Sequence, residues 1–129
     1  MDVRVPPTAQ GCREFHAREG RVELCLRLMP QGRDLHAFLL GGEAHVGAVA
    51  LASPGEAAKV LQRQSHREGE LAGRVAERLA GALGCAVSVS SGIHFADISR
   101  AEITTVEKLA ERLVDDCLQS LSTRSDEPC

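Results

Sequence analysis

Three histidines stand where side-chain chemistry is usually placed. His45 follows Gly41-Gly42-Glu43-Ala44 at the start of a strand, and His66 sits beside Ser65 at a helix start. His94 follows Gly92-Ile93 in a loop leaving another strand. Strand ends and helix starts gather free backbone amides and small-molecule sites. An imidazole there is suited to ligate a metal, accept a proton or meet an anion. The spacing 45, 66, 94 matches no local metal motif such as H-E-x-x-H, so metal binding does not follow from it. A single loop histidine is more often a satisfied polar residue, and His16 and His36 have less context still.

Other constellations are weaker. There is no G-x-S-x-G, no Walker loop and no G-x-G-x-x-G. Asp115-Asp116 lies among charges typical of a solvated helix face, where a paired-carboxylate acid–base site has no cleft to work in. Ser88, Ser90 and Ser91 run along a strand and read as surface hydroxyls. Arg67, Arg74 and Arg78 fall near one helix face and suit either an anion or, more simply, solvent. The five cysteines (Cys12, Cys25, Cys85, Cys117, Cys129) form no C-x-x-C pair and read as reduced thiols.

The elements that must hold these residues show in the periodicity. Val22, Leu24, Leu26 and Leu28 alternate with polar neighbours as a half-buried strand. Pro30-Gln31-Gly32-Arg33 turns the chain into a returning strand, Leu35 to Leu40. Gly41-Gly42 permits another tight reversal into Ala44 to Ala52. Arg13 to Arg18 suggests an earlier strand, so the early half reads as an antiparallel meander. Residues 57–64 suit helix or strand equally. Ser65-His66-Arg67-Glu68 has the S-x-x-E form of a capping box. Behind it Leu71, Val75, Leu79 and Leu83 form an apolar stripe, and Gly84 fits a left-handed helix end. Cys85 to Ser91 alternates as a strand. Ser99-Arg100-Ala101-Glu102 repeats the box ahead of Ile103, Val106, Leu109, Leu113 and Leu118 on a second amphipathic helix. The expected fold is α+β, an antiparallel sheet with two helices on one face. One domain spans residues 12–121, between loose ends at 1–11 and 122–129.

Composition limits the partners. The 129 residues carry 15 Lys and Arg against 18 Asp and Glu, with no Trp, no Tyr and three Phe. A basic stripe and stacking aromatics are both missing, which argues against nucleic acid. The longest apolar stretches are far shorter than the roughly 20 residues that span a bilayer. Met1 to Gln10 has two prolines and no apolar run of the secretory kind, so a cytoplasmic protein is expected.

Read in order, four segments resemble a known family. They are Gly41-Gly42-Glu43-Ala44-His45-Val46-Gly47-Ala48-Val49-Ala50, then Ser65-His66-Arg67-Glu68-Gly69-Glu70-Leu71-Ala72, then Val75-Ala76-Glu77-Arg78-Leu79-Ala80. Gly92-Ile93-His94-Phe95-Ala96-Asp97-Ile98, with Glu102-Ile103, completes the set. They look like the small accessory proteins of gallate decarboxylase, the prenylated-flavin chaperones, which are related in fold to proteasome assembly chaperones. The resemblance covers about Val22 to Leu118 and implies an accessory protein rather than an independent enzyme. Such a protein binds prenylated FMN or FMN with a divalent metal such as Mn or Mg. It delivers the flavin to a decarboxylase acting reversibly on aromatic acids, and it works as a homodimer. The implied metal ligands are His45, His66 and His94. The implied cofactor-binding residues are those three with Gly47, Ser65, Arg67 and Gly92, the two glycines allowing close approach. The isoalloxazine would rest on aliphatic groups with Phe95 or Phe38. Ser65 stands where the family pattern leads one to expect glycine, and Glu43 places a negative charge beside the first motif. Two other readings stand beside this one. One is a dimeric assembly factor with structural histidines and no cofactor. The other is a small metal-dependent enzyme in which the three histidines activate water with Asp97 or Glu68 as base.

Overall fold

The computed structural model describes residues 11–63 and 68–122. Six strands form one sheet: β1 (Arg13–Glu19), β2 (Val22–Gln31), β3 (Asp34–Gly42), β4 (Ala48–Ala52), β5 (Lys59–Gln62) and β6 (Val87–His94). Two helices, α1 (Gly69–Leu83) and α2 (Arg100–Ser122), complete the elements of the described residues. The sheet order is β1-β2-β3-β6-β4-β5. The α+β class with two late helices is therefore the observed one. Within the ambiguous stretch 57–64, the strand alternative holds at β5.

Alternation explains which face is covered. Leu24, Leu26 and Leu28 of β2 register beside Gly41, Leu39 and Ala37 of β3, and Ala37 and Leu39 beside Val89 and Ser91 of β6. These side chains share one face and are buried, Ser91 among them, which corrects its reading as a surface hydroxyl. Leu71, Val75, Leu79 and Ala80 of α1, with Leu109, Leu113 and Val114 of α2, are buried with them in a single cluster. Helix α1 lies mainly over β4 and β6, and α2 over β1 and β2. Gly84 ends α1 in the left-handed conformation expected of it, with φ 70° and its N–H donating to the Ala80 carbonyl. Arg78 reaches Glu111 and Asp115, and Arg74 lies 3.5 Å from Glu107, so these arginines tie α1 to α2.

The meander is only part of the sheet. Strands β1, β2 and β3 pair as antiparallel neighbours, but β4 does not return beside β3. β6 lies between them, parallel to β3 and antiparallel to β4. Gly41-Gly42 therefore does not make a hairpin. The Glu43 N–H donates to the His94 carbonyl, and the Gly47 N–H donates to the Ser91 carbonyl. Residues 43–47 thus cross the end of β6 and enter the sheet on its far side. Local sequence marks a break at Gly41-Gly42, but a strand arriving some fifty residues later decides its use.

Among the described residues, the other sheet face carries no helix. Phe38 and Leu40 are half-buried there, and Met29, Val49, Leu51 and Leu61 are exposed, Leu61 at 80%. Of the described cysteines, Cys12, Cys25 and Cys117 are free thiols, as expected. Cys85 corrects that expectation: it is disulfide-bonded. No described helix is long and apolar enough to cross a membrane.

Candidate functional site

The crossing over β6 builds the site. His45 lies in the crossing segment, and its backbone sits directly on Gly92 of β6. A Cβ at position 92 would lie 1.5 Å from the His45 carbonyl oxygen, so only glycine fits there. Two residues on, Gly47 leaves room for the Glu68 carboxylate, which a Cβ at 47 would meet at 2.0 Å. At both Gly47 and Gly92 the close approach is made by the chain itself. Steric necessity brings His45, Glu68 and the end of β6 together.

Glu68 joins the three elements. Its Oε1 accepts the Ile93 N–H at 3.0 Å and lies 3.2 Å from His45 Nε2. His45 Nδ1 is 3.0 Å from the Glu43 carbonyl oxygen. Both ring nitrogens therefore face acceptors. The pair is partly enclosed, with side-chain exposures of 22% for His45 and 11% for Glu68.

Beside this pair a cleft of about 340 Å³ opens between the start of α1, the end of β6 and the first turns of α2. Leu71, Ile93, Ile98, Ile103 and Val106 form its apolar wall, and Glu68, His94 and Arg74 supply polar groups. His94 is exposed, one residue after the Ile93 N–H that Glu68 holds. Phe95 is half-buried against the core, with Arg21 6.0 Å from its ring centre. Phe38 belongs to the open sheet face, away from this cleft.

Of the residues expected at the site, the structure gathers His45, Gly47, Gly92 and His94 at one end of the sheet. Ser65, His66 and Arg67 lie outside the described residues. Sequence reasoning assigns Glu68 to a helix cap and to the alternative enzyme reading. It assigns Arg74 to helix surface and gives no sign of the apolar wall. Among the described residues, His45 and His94 belong to no group of three close metal donors. The one such group is Glu14, His16 and Cys25, on other strands.

Comparison with known proteins adds the family. The model of the prenylated flavin chaperone LpdD-like domain matches residues 18–122. No protein of curated function matches the sequence. Among solved structures, one described as a novel chaperone complex for yeast 20S proteasome assembly superposes with a TM-score of 0.56. The match covers 87% of this chain and 96% of that one at 9% identity, so the likeness is of fold alone.

Proposed function

From its membership of the prenylated flavin chaperone LpdD-like family, to which this chain belongs as an accessory protein, we propose that it binds prenylated FMN at the His45–Glu68–His94 end of the sheet. It then hands the cofactor to a decarboxylase of aromatic acids. The observation that carries the reading is the cleft beside Glu68, which sets an aliphatic wall next to groups that take metal and anion.

The residues fit such a cargo in two respects. His45 Nε2 and Glu68 Oε1 lie 3.2 Å apart, close to the ~3 Å separation of adjacent ligands around an octahedral Mg²⁺-sized ion. A carboxylate oxygen is a suitable donor for Mn²⁺ or Mg²⁺, and an imidazole nitrogen beside it favours the transition ion Mn²⁺ over Mg²⁺. A cation held there also answers the surplus of carboxylates, since Glu68, Glu70 and Glu107 at the rim would otherwise repel a phosphate. Leu71, Ile93, Ile98, Ile103 and Val106 would take the apolar part of the cargo without aromatic stacking, which suits a carrier that must release it. His66, Ser65 and Arg67 belong to the same proposal through the family motif.

The open sheet face supports the homodimer. Exposed Val49, Leu51 and Leu61 lie together across β4 and β5, and a second copy packed there would remove apolar surface from water.

The test is titration of purified protein with FMN and with reduced prenylated FMN, with and without Mn²⁺ or Mg²⁺. A folded His45→Ala/His94→Ala variant is run alongside. Metal-dependent binding that the variant loses supports delivery from this site. No binding of either flavin under any metal condition would sink the carrier reading and leave a cofactor-free assembly factor ahead.

A further inference from the structure

A separate cluster of ligating side chains lies on the open face, at the β1–β2 side of the sheet. Antiparallel pairing puts His16 of β1 directly opposite Cys25 of β2, and Glu14 opposite Arg27. Residues two apart on a strand share a face, so Glu14, His16 and Cys25 all point the same way. Their ligating atoms lie within 4.8 Å of one another. The Cys25 thiol is 3.7 Å from Glu14 Oε1. Arg27 holds the same oxygen through Nε at 3.0 Å and Nη2 at 2.7 Å. Cys25 is half-buried, and its neighbour on the inner side is Leu40 of β3. The cluster is therefore walled by apolar surface on one side and open to solvent on the other.

We propose that Glu14, His16 and Cys25 form a cation site for a zinc-type divalent ion, held through carboxylate, imidazole and thiolate with solvent completing the shell. Mixed sulfur, nitrogen and oxygen donors select borderline-soft ions over Mg²⁺ or Ca²⁺, which take oxygen alone. Three protein donors with an open fourth position form a common zinc arrangement. Arg27 takes the part of an outer partner that orients Glu14. Its ion pair with Glu14 is solvent-exposed, 46% on each side, so a bound ion displaces little by loosening it. The site is independent of the flavin proposal, which uses donors at another place and no sulfur.

Cobalt(II) is the direct probe, because thiolate ligation gives a sulfur-to-metal charge-transfer band that histidine and carboxylate do not. Wild-type protein should show that band at one equivalent, and Zn²⁺ should abolish it. The band should vanish in Cys25→Ser and persist in Cys12→Ser and in His45→Ala/His94→Ala. Competition against a chromophoric chelator should show Zn²⁺ affinity at least ~10²-fold weaker in Cys25→Ser, beyond the loss typical of an outer-sphere partner. His16→Ala, which keeps the thiol, should weaken it comparably, with circular dichroism confirming the fold of each variant. No charge-transfer band in the wild type, or one that survives Cys25→Ser, overturns the proposal.

Discussion

The two helices open on the same sequence signature and use it differently. At α2 the S-x-x-E box closes on itself. The Glu102 N–H donates to Ser99 Oγ at 3.1 Å, and the Ser99 N–H donates to Glu102 Oε1 at 3.0 Å. Arg21 adds its guanidinium to the same carboxylate. At α1 the helix begins at Gly69, so Glu68 is the capping residue itself and makes no side-chain cap. Its carboxylate leaves the helix for Ile93 and His45. Gln62 of β5 takes over by accepting the Gly69 N–H at 2.8 Å. A carboxylate closed into a capping box stabilises its own helix start. One turned to Ile93 and His45, with Gln62 satisfying the Gly69 amide, takes part in a site instead.

The comparison breaks first at the backbone that brings Glu68 its partners. Gly92→Ala puts a methyl carbon into the His45 backbone, and no side-chain rotation relieves a backbone clash. We expect a loss of ~3 kcal/mol or more in denaturant unfolding, at the upper end of overpacking costs. Gly81→Ala is the control. It lies on exposed α1 surface with no atom within 4 Å of the added carbon, and should gain ~0.5–1 kcal/mol from helix propensity. A Gly92→Ala protein of native stability would show that residues 43–47 do not cross β6 as described.

The next substitution separates the fold from the site. Glu68→Ala removes the acceptor of the Ile93 N–H and should cost ~1–3 kcal/mol. Glu68→Gln retains a side-chain oxygen for that N–H and should recover most of the loss. It should still lack Mn²⁺ binding, because the charge facing His45 is gone. Calorimetric titration beside thermal unfolding reads both effects. Equal metal binding by Glu68→Gln and wild type would remove Glu68 from the proposed site.

What could be read in advance follows from the range of each interaction. The α1 and α2 stripes, the Gly84 helix end and the β1–β3 meander are local in sequence and legible in it. The placement of β6 between β3 and β4 is not, because the contacts that decide it join Glu43 to His94 and Gly47 to Ser91. The histidines are legible as motif residues, yet their surroundings are not. The cleft wall combines Leu71, Ile93 and Val106 from three elements that only the fold brings together. The cross-strand pairing of His16 with Cys25 is within reach of the sequence, needing only the β1–β2 register that the turn between them sets.

The smallest effect concerns the α2 box, and it shows only in acid. The hydrogen bond from Arg21, followed by that from the Ser99 backbone N–H, holds the Glu102 carboxyl down at about 2, against an ordinary 4.5. A carboxyl lowered on folding stabilises the native state fully above its unfolded value. That contribution fades as pH falls through the interval and is gone below the folded value. The stability difference between wild type and Glu102→Gln should therefore be constant above about pH 5, shrink between 4.5 and 2, and vanish below. Glu14 and Glu19 are also lowered, by Arg27 and Lys108, so acid unfolding of the wild type alone mixes several groups. The difference between the two proteins isolates Glu102. A gap that persists unchanged at pH 2 would mean that Glu102 acts through the shape of its hydrogen bonds rather than its charge. The contrast between the two helix starts would then rest on geometry alone.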